Sequence, residues 1–395
     1  MAERAPLVML SAGEASGDRH AAALFAELQR LMPGVRGIGM GGAAMREAGI
    51  DLRVDSSGIG VIGLVEVLRH YGEIRAALNL MERTARAERP DLLICVDYKE
   101  FNFRLARAAK AAGVRVLFYV SPQVWAWRPG RAKSYGRVVD HMAVIFPFEV
   151  PFYEACQVPV TYVGHPLAGK VKPRLSREAA RQGLSLGAEP VVGLLPGSRA
   201  NEIKRMLPVI LESARQLARE FPGVRFLLFQ ARSVADAALE SHVAGCGLDL
   251  AVIKGQDYDA LHACDAVITV SGTATLETAL IGVPMVIVYR LSPLSYWLGR
   301  LLVSIPHIGL PNILAGRGIV REFIQHEANP ANIAGEIGKI LREPDYAASI
   351  RQALAEVREQ LGERDGSLEL ARLAAKMLAG PDAMERMEPQ QEHAT

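Results

Sequence analysis

The segment Val96-Asp97-Tyr98-Lys99-Glu100-Phe101-Asn102 places two carboxylates three positions apart, at the end of an apolar run. A general base belongs at such a place, on the carboxyl edge of a buried strand. The competing reading is a helix cap by Asp97 and a solvated Glu100. Leu195-Pro196-Gly197-Ser198-Arg199 is the best phosphate candidate. Gly197 and Ser198 offer backbone N–H groups, and Arg199 adds a fixed charge that grips phosphate bidentately. Pro-Gly is also ordinary turn chemistry. Ser271-Gly272-Thr273-Ala274-Thr275-Leu276-Glu277 repeats the plan of strand, small-residue loop and helix. Glu277 falls about one turn into that helix, where a carboxylate reaches a ribose diol. A capping box is the bland alternative. Together the two loops make a nucleotide site at the carboxyl ends of strands of one sheet. There is no Walker A sequence and no clean G-x-G-x-x-G, which counts against ATP hydrolysis and NAD chemistry.

Other segments carry chemical residue types with less force. Ser11-Ala12-Gly13-Glu14-Ala15-Ser16-Gly17-Asp18 follows an apolar run and has the same anion-loop character as Gly197–Arg199. Ser121-Pro122-Gln123-Val124-Trp125-Ala126-Trp127-Arg128, continuing to Arg131 and Lys133, sets two Trp near three cations. It suits a sugar face or a phosphate, and equally suits packing. Asp257-Tyr258-Asp259 resembles a D-x-D metal motif but precedes a short helix, so a cap is its natural role. The His residues are dispersed without helical ligand spacing, and no metal is assigned. The run 59–68 (Ile-Gly-Val-Ile-Gly-Leu-Val-Glu-Val-Leu) is followed by Arg69, His70 and Arg75. It reads as a core helix or as an apolar patch with basic flanks that dips into an anionic membrane.

These residues need scaffolds to hold them. Strands are expected at 6–10, 36–40, 92–97, 115–120, 142–146 and 160–163. A second set is expected near 191–195, 225–230, 250–254, 266–270 and 284–288. Each is a short Val/Ile/Leu-rich run, as for parallel strands buried on both faces. Ala/Arg/Glu/Leu-rich segments such as 20–32, 66–88 and 102–112 separate them. The alternation predicts an α/β fold of two doubly wound, Rossmann-like domains facing a cleft. The first domain spans 1–165 and the second 191–345. The Pro- and Gly-rich stretch 166–190 reads as the linker, with a short helix capped by Ser176. Residues 346–379 read as C-terminal helices, and 380–395 as a disordered polar tail.

At 395 residues and half hydrophobic, the chain has ample core for two domains. A net charge of only +2 gives no reason to expect nucleic acid. The four scattered cysteines read as reduced buried thiols. No signal peptide and no run of about 18 to 20 apolar residues is visible, so a cytosolic enzyme is expected.

Taken in order, five segments resemble lipid-A-disaccharide synthase, a family of inverting glycosyltransferases with the GT-B fold. They are Ala12–Asp18, Ser121–Arg128 with its Val-Trp-Ala-Trp-Arg core, Leu195–Arg199, Ser271–Glu277 and Leu310-Pro311-Asn312-Ile313-Leu314-Ala315-Gly316-Arg317. The resemblance covers about residues 7 to 378. It implies that UDP-2,3-diacylglucosamine donates its sugar to the 6-hydroxyl of 2,3-diacylglucosamine 1-phosphate (lipid X). The products are the β-1,6-linked disaccharide 1-phosphate and UDP, and no metal or other cofactor is implied. The second domain would hold UDP through Gly197, Ser198, Arg199, Ser271, Gly272, Thr273 and Glu277. The first would hold the acceptor, with Asp97 or Glu100 as base. Gly13, Glu14, Ser16, Gly17 and Asp18 would wall the cleft. Trp127, Arg128, Arg131 and Lys133 would serve the acceptor, and Asn312 and Arg317 would sit at the same cleft. Family members often read Asp-x-Pro-Asp-Phe-Asn where this chain has Asp97–Asn102; others carry Gly where Glu100 stands, which favours Asp97. Acylated substrates give 59–68 a purpose. Val61, Ile62, Leu64, Val65, Val67 and Leu68 are expected at a membrane or an acyl chain, extended by Met206. A peripheral position on the inner face of the inner membrane follows, as does a homodimer formed by C-terminal exchange. The alternatives are another GT-B enzyme using UDP-GlcNAc (a 2-epimerase or transferase) and a non-catalytic nucleotide-sugar-binding protein.

Overall fold

The computed structural model describes residues 4–57, 70–122, 130–291 and 306–379. The chain divides into two compact units, Met1–Pro166 with Glu363–Thr395, and Leu167–Gly362.

The first unit is built on a parallel sheet of seven strands. In chain order these are β1 (Leu7–Ala12), β2 (Arg36–Gly41), β3 (Asp51–Asp55), β4 (Leu92–Val96), β5 (Arg115–Tyr119), β6 (His141–Val144) and β7 (Val160–Tyr162). Their order across the sheet is β3-β2-β1-β4-β5-β6-β7. The chain winds outward from β1 to one edge, then restarts at β4 and winds to the other. The switch point lies between β1 and β4, whose ends are in register at Ala12 and Val96. β1 and β4 are buried along their whole length, because helices cover both faces of the sheet. Leu7, Met9, Leu93 and Cys95 pack into one core layer. Val8, Leu10, Leu92, Ile94 and Val96 pack into the other.

The second unit repeats the plan. Its strands are β8 (Val191–Leu195), β9 (Arg225–Gln230), β10 (Leu250–Lys254), β11 (Ala266–Val270), β12 (Met285–Tyr289) and β13 (Arg321–Ile324). The sheet order is β10-β9-β8-β11-β12-β13, again parallel, with its switch point between β8 and β11.

Three features depart from the sequence reading. β3 and β13 were not expected; both are edge strands, where one face of the ladder is free and polar residues are tolerated. Residues 167–190, read as a linker, belong to the second unit. Arg181 there bonds Ala263 O at 3.1 Å and Asp265 Oδ2 at 3.3 Å. The C-terminal segment forms two helices. Pro344–Leu361 ends at Gly362 in the second unit, and Gly366–Ala379 lies in the first. The last helix buries Leu370, Ala371, Ala374 and Ala375 beside Leu24, Phe25 and Leu28 of the helix Ala15–Leu31. Finally, Met206 is 1% exposed. It sits on the stripe Ile203, Met206, Leu207, Ile210 and Leu211 that packs the helix Ala200–Glu220 inward, so it is a core residue and not part of a membrane surface. Val61, Ile62, Leu64, Val65, Val67 and Leu68 lie outside the described residues, as do 380–395.

Candidate active site

Each unit brings chemical residues to the carboxyl ends of the strands at its switch point. In the first unit, Gly13 follows β1 and Asp97 follows β4. Gly13 is required by contact, since a Cβ there would lie 2.4 Å from the Tyr98 ring. Asp97 and Tyr98 both take the left-handed conformation, with φ of 47° and 45°. Each such residue stores about 1 kcal/mol or more, so something must hold them. Asn102 does. Its Nδ2 donates to Asp97 O at 2.7 Å, Ser11 O at 3.2 Å and Val96 O at 3.3 Å. Its Oδ1 accepts from Ser11 Oγ at 2.6 Å. Asn102 is fully buried and stitches the ends of β1 and β4 together. Nothing in the sequence around Asn102 signals this role.

The Asp97 carboxyl is pushed above the usual carboxylate range by burial, with the nearby Lys99 charge opposing. Glu14, at the end of β1, is raised by burial and then by the negative charge of Asp97. The two carboxyls therefore form one electrostatic unit at the switch point. Glu100 is different. Its side chain is 65% exposed and pairs with Arg131 Nη2 at 2.5 Å. Arg131 thus faces a carboxylate, and Lys133 is exposed. Trp127 and Arg128 lie outside the described residues.

Of the loop 13–18, Ser16 is exposed and Gly17 is buried against Ala12 Cβ and Val96. Asp18 turns inward. Its Oδ1 accepts from Gly42 N–H at 2.7 Å and Met45 N–H at 3.2 Å, and its Oδ2 from Ala44 N–H at 3.0 Å. The carboxylate is buried on the N-terminus of the helix Ala43–Glu47, where free N–H groups need an acceptor.

In the second unit, the loop after β8 turns through Gly197 at φ +109° into the helix Ala200–Glu220. The donors expected for phosphate are engaged by Glu202. Its Oε2 accepts from Ser198 N–H at 3.0 Å and Arg199 N–H at 3.3 Å; its Oε1 accepts from Arg199 Nη1 at 3.0 Å. After β11, Ser271 Oγ donates to Ile308 O at 3.0 Å, and Gly272 and Thr273 are exposed at the start of the helix Thr273–Ile281. Glu277 is no cap. Its Oε1 accepts from Gln256 Nε2 at 2.8 Å and Tyr258 Oη at 3.0 Å, and burial raises its carboxyl. One oxygen is held and the other accepts no hydrogen bond among the described residues. Gln256 and Tyr258 are further site residues that sequence reasoning missed, since they lie 21 and 19 positions away in the chain.

The D-x-D segment is structural. Asp257 accepts from Ala260 N–H at 2.9 Å, and Asp259 from Arg174 N–H at 2.6 Å and Leu175 N–H at 2.9 Å. Asn312 and Arg317 border one recess of this unit. Asn312, 1% exposed, donates to Val320 O at 2.9 Å and Glu322 Oε1 at 2.7 Å and accepts from Ile319 N–H at 2.8 Å and Val320 N–H at 3.0 Å. Its hydrogen-bonding capacity is spent on holding β13 to the helix Leu310–Ala315. Arg317 pairs with Glu356 at 2.9 Å.

Residues 8–377 match the family model described as lipid-A-disaccharide synthetase. The chain belongs to the lipid-A-disaccharide synthase family. The Geobacter sulfurreducens lipid-A-disaccharide synthase is 50% identical over 94% of this chain and 97% of its own length. The Nitrosococcus oceani lipid-A-disaccharide synthase is 47% identical over 96% and 98%. Among solved structures, the glycosyltransferase of kitacinnamycin aligns with a TM-score of 0.60 at 15% identity, covering 95% of this chain and all (100%) of the other. A UDP-N-acetylglucosamine 2-epimerase assignment from Listeria monocytogenes aligns with a TM-score of 0.60 at 14% identity, covering 98% of each. These likenesses show the fold, two Rossmann-like α/β domains of the GT-B type. Family membership makes the chain a glycosyltransferase that acts as a lipid-A-disaccharide synthase.

Proposed function

We propose that Asp97 is the general base of this synthase. The donor is UDP-2,3-diacylglucosamine and the acceptor is the 6-hydroxyl of lipid X. The acceptor oxygen attacks the anomeric carbon while Asp97 takes its proton. The bond to the β-phosphate oxygen breaks, and UDP leaves with both bonding electrons. Attack from the face opposite the leaving group inverts the centre and gives the β-1,6 link. The observation that carries the assignment is the setting of Asp97. A carboxyl with a raised pKa, at a switch point and with its backbone tied by Asn102, suits a base working near neutral pH. The charge of Asp97 in turn raises Glu14, while Glu100 is largely exposed and paired with Arg131.

In the second unit Gly197, Ser198 and Arg199 take the leaving diphosphate, with Ser271, Gly272 and Thr273 lining the next helix start. The uncommitted oxygen of Glu277 takes the ribose diol. Arg131 and Lys133, with Arg128, take the acceptor phosphate. The apolar run 61–68 meets acyl chains and an anionic membrane, which fits a protein with no described helix long and apolar enough to span one. No metal enters the reaction. Asp97→Asn tests the base. It lowers kcat about 10²- to 10⁴-fold with UDP affinity retained, whereas Glu100→Gln costs far less. The reverse ranking would transfer the role to Glu100.

A further inference from the structure

The phosphate loop of the second unit already holds an anion, and that anion belongs to the chain. The Glu202 carboxylate takes both backbone N–H groups at the head of the helix and one arm of the Arg199 guanidinium. It is well sheltered, at 14% exposed, whereas the Arg199 side chain is 68% exposed. Gly197 brings the backbone close enough that a Cβ there would lie 2.6 Å from Glu202 Oε2. A leaving diphosphate needs the same donors: aligned N–H groups at a helix N-terminus and a bidentate guanidinium. Two anions cannot share them, because like charges at hydrogen-bonding distance repel.

We propose that Glu202 is a built-in placeholder, which the diphosphate of a nucleoside diphosphate sugar displaces from the Ser198 and Arg199 donors on binding. The inference rests on the reading of Gly197–Arg199 as the donor diphosphate site. The returning carboxylate competes with UDP, which weakens product binding and speeds release.

The test is calorimetric titration of the full-length protein with UDP, inorganic pyrophosphate and uridine. It compares the wild type with Glu202→Gln, Glu202→Ala and Arg199→Ala. Glu202→Gln keeps the shape and an acceptor oxygen for the helix cap, and Glu202→Ala empties the nest. Both variants should bind UDP and pyrophosphate about fivefold tighter, with uridine unchanged. A merely structural Glu202 predicts the opposite, since a disordered loop binds phosphate less well. UDP affinity equal to or weaker than wild type in both variants would overturn the proposal. The donor-site reading fails separately. If Arg199→Ala leaves UDP affinity untouched, the diphosphate does not sit on this loop, and the placeholder role falls with it.

Discussion

At the scale of single residues, the account turns on carboxyls moved out of water. Burial holds Asp97 and Glu14 above the usual carboxylate range, so a base that must be ionised loses activity on the acid side. The profile of kcat/KM should therefore fall at a pH above the ordinary carboxylate pKa, and Asp97→Asn should remove that limb. A stability consequence follows with a definite sign. A carboxyl whose folded pKa is raised stabilises the fold only when protonated, below its unfolded pKa, and loses that contribution as pH rises through the folded value. Asp97→Asn should thus melt higher than wild type at pH 7, with the gain shrinking towards pH 4. Asparagine also tolerates the left-handed backbone found at this position. A lower melting temperature at pH 7 would show that burial is not the dominant influence on Asp97. In the second unit, Tyr258 and Gln256 aim Glu277. Tyr258→Phe removes one hydrogen bond, about 1 kcal/mol, so KM for the donor should rise roughly fivefold with kcat held. Discrimination between UDP and 2′-deoxy-UDP should shrink in step, a change that general loosening of the fold would not select.

At the scale of elements, the strands that carry the site were legible because they are buried on both faces. β1, β4, β8 and β11 are near-continuous apolar runs, and β1, β8 and β11 run into small-residue loops. β3 alternates exposed and half-buried residues on an edge, and its Asp51, Arg53 and Asp55 look like loop. The partners of Asp18 are hidden for a related reason. A Gly/Ser loop before a helix signals free N–H groups, yet the sequence does not say that Asp18 turns to a different helix, Ala43–Glu47. Asp18→Ala should cost about 2 kcal/mol by unmaking that cap, with the activity of the folded fraction intact, as thermal melts and active-site titration would show. Gln256 and Asn102 share one obstacle. Their importance lies in partners brought together by the fold, and Glu277 meets Gln256 across a gap of 21 positions.

At the scale of the whole molecule, the chain crosses from the first unit to the second at Pro166–Leu167 and returns at Gly362–Glu363. The return delivers the helix Gly366–Ala379 to the core beside Leu24, Phe25 and Leu28. An element that completes one unit while tethered to the other is what exchange between two chains would require. The proposed division of labour, acceptor on the first unit and donor on the second, makes both units necessary for turnover. The most direct test supplies the purified full-length chain with UDP-2,3-diacylglucosamine and lipid X in detergent micelles containing EDTA. The account predicts UDP and β-1,6-linked disaccharide 1-phosphate in equal amounts, dependent on lipid X and abolished in practice by Asp97→Asn. UDP release without disaccharide, or turnover that ignores Asp97, would contradict it.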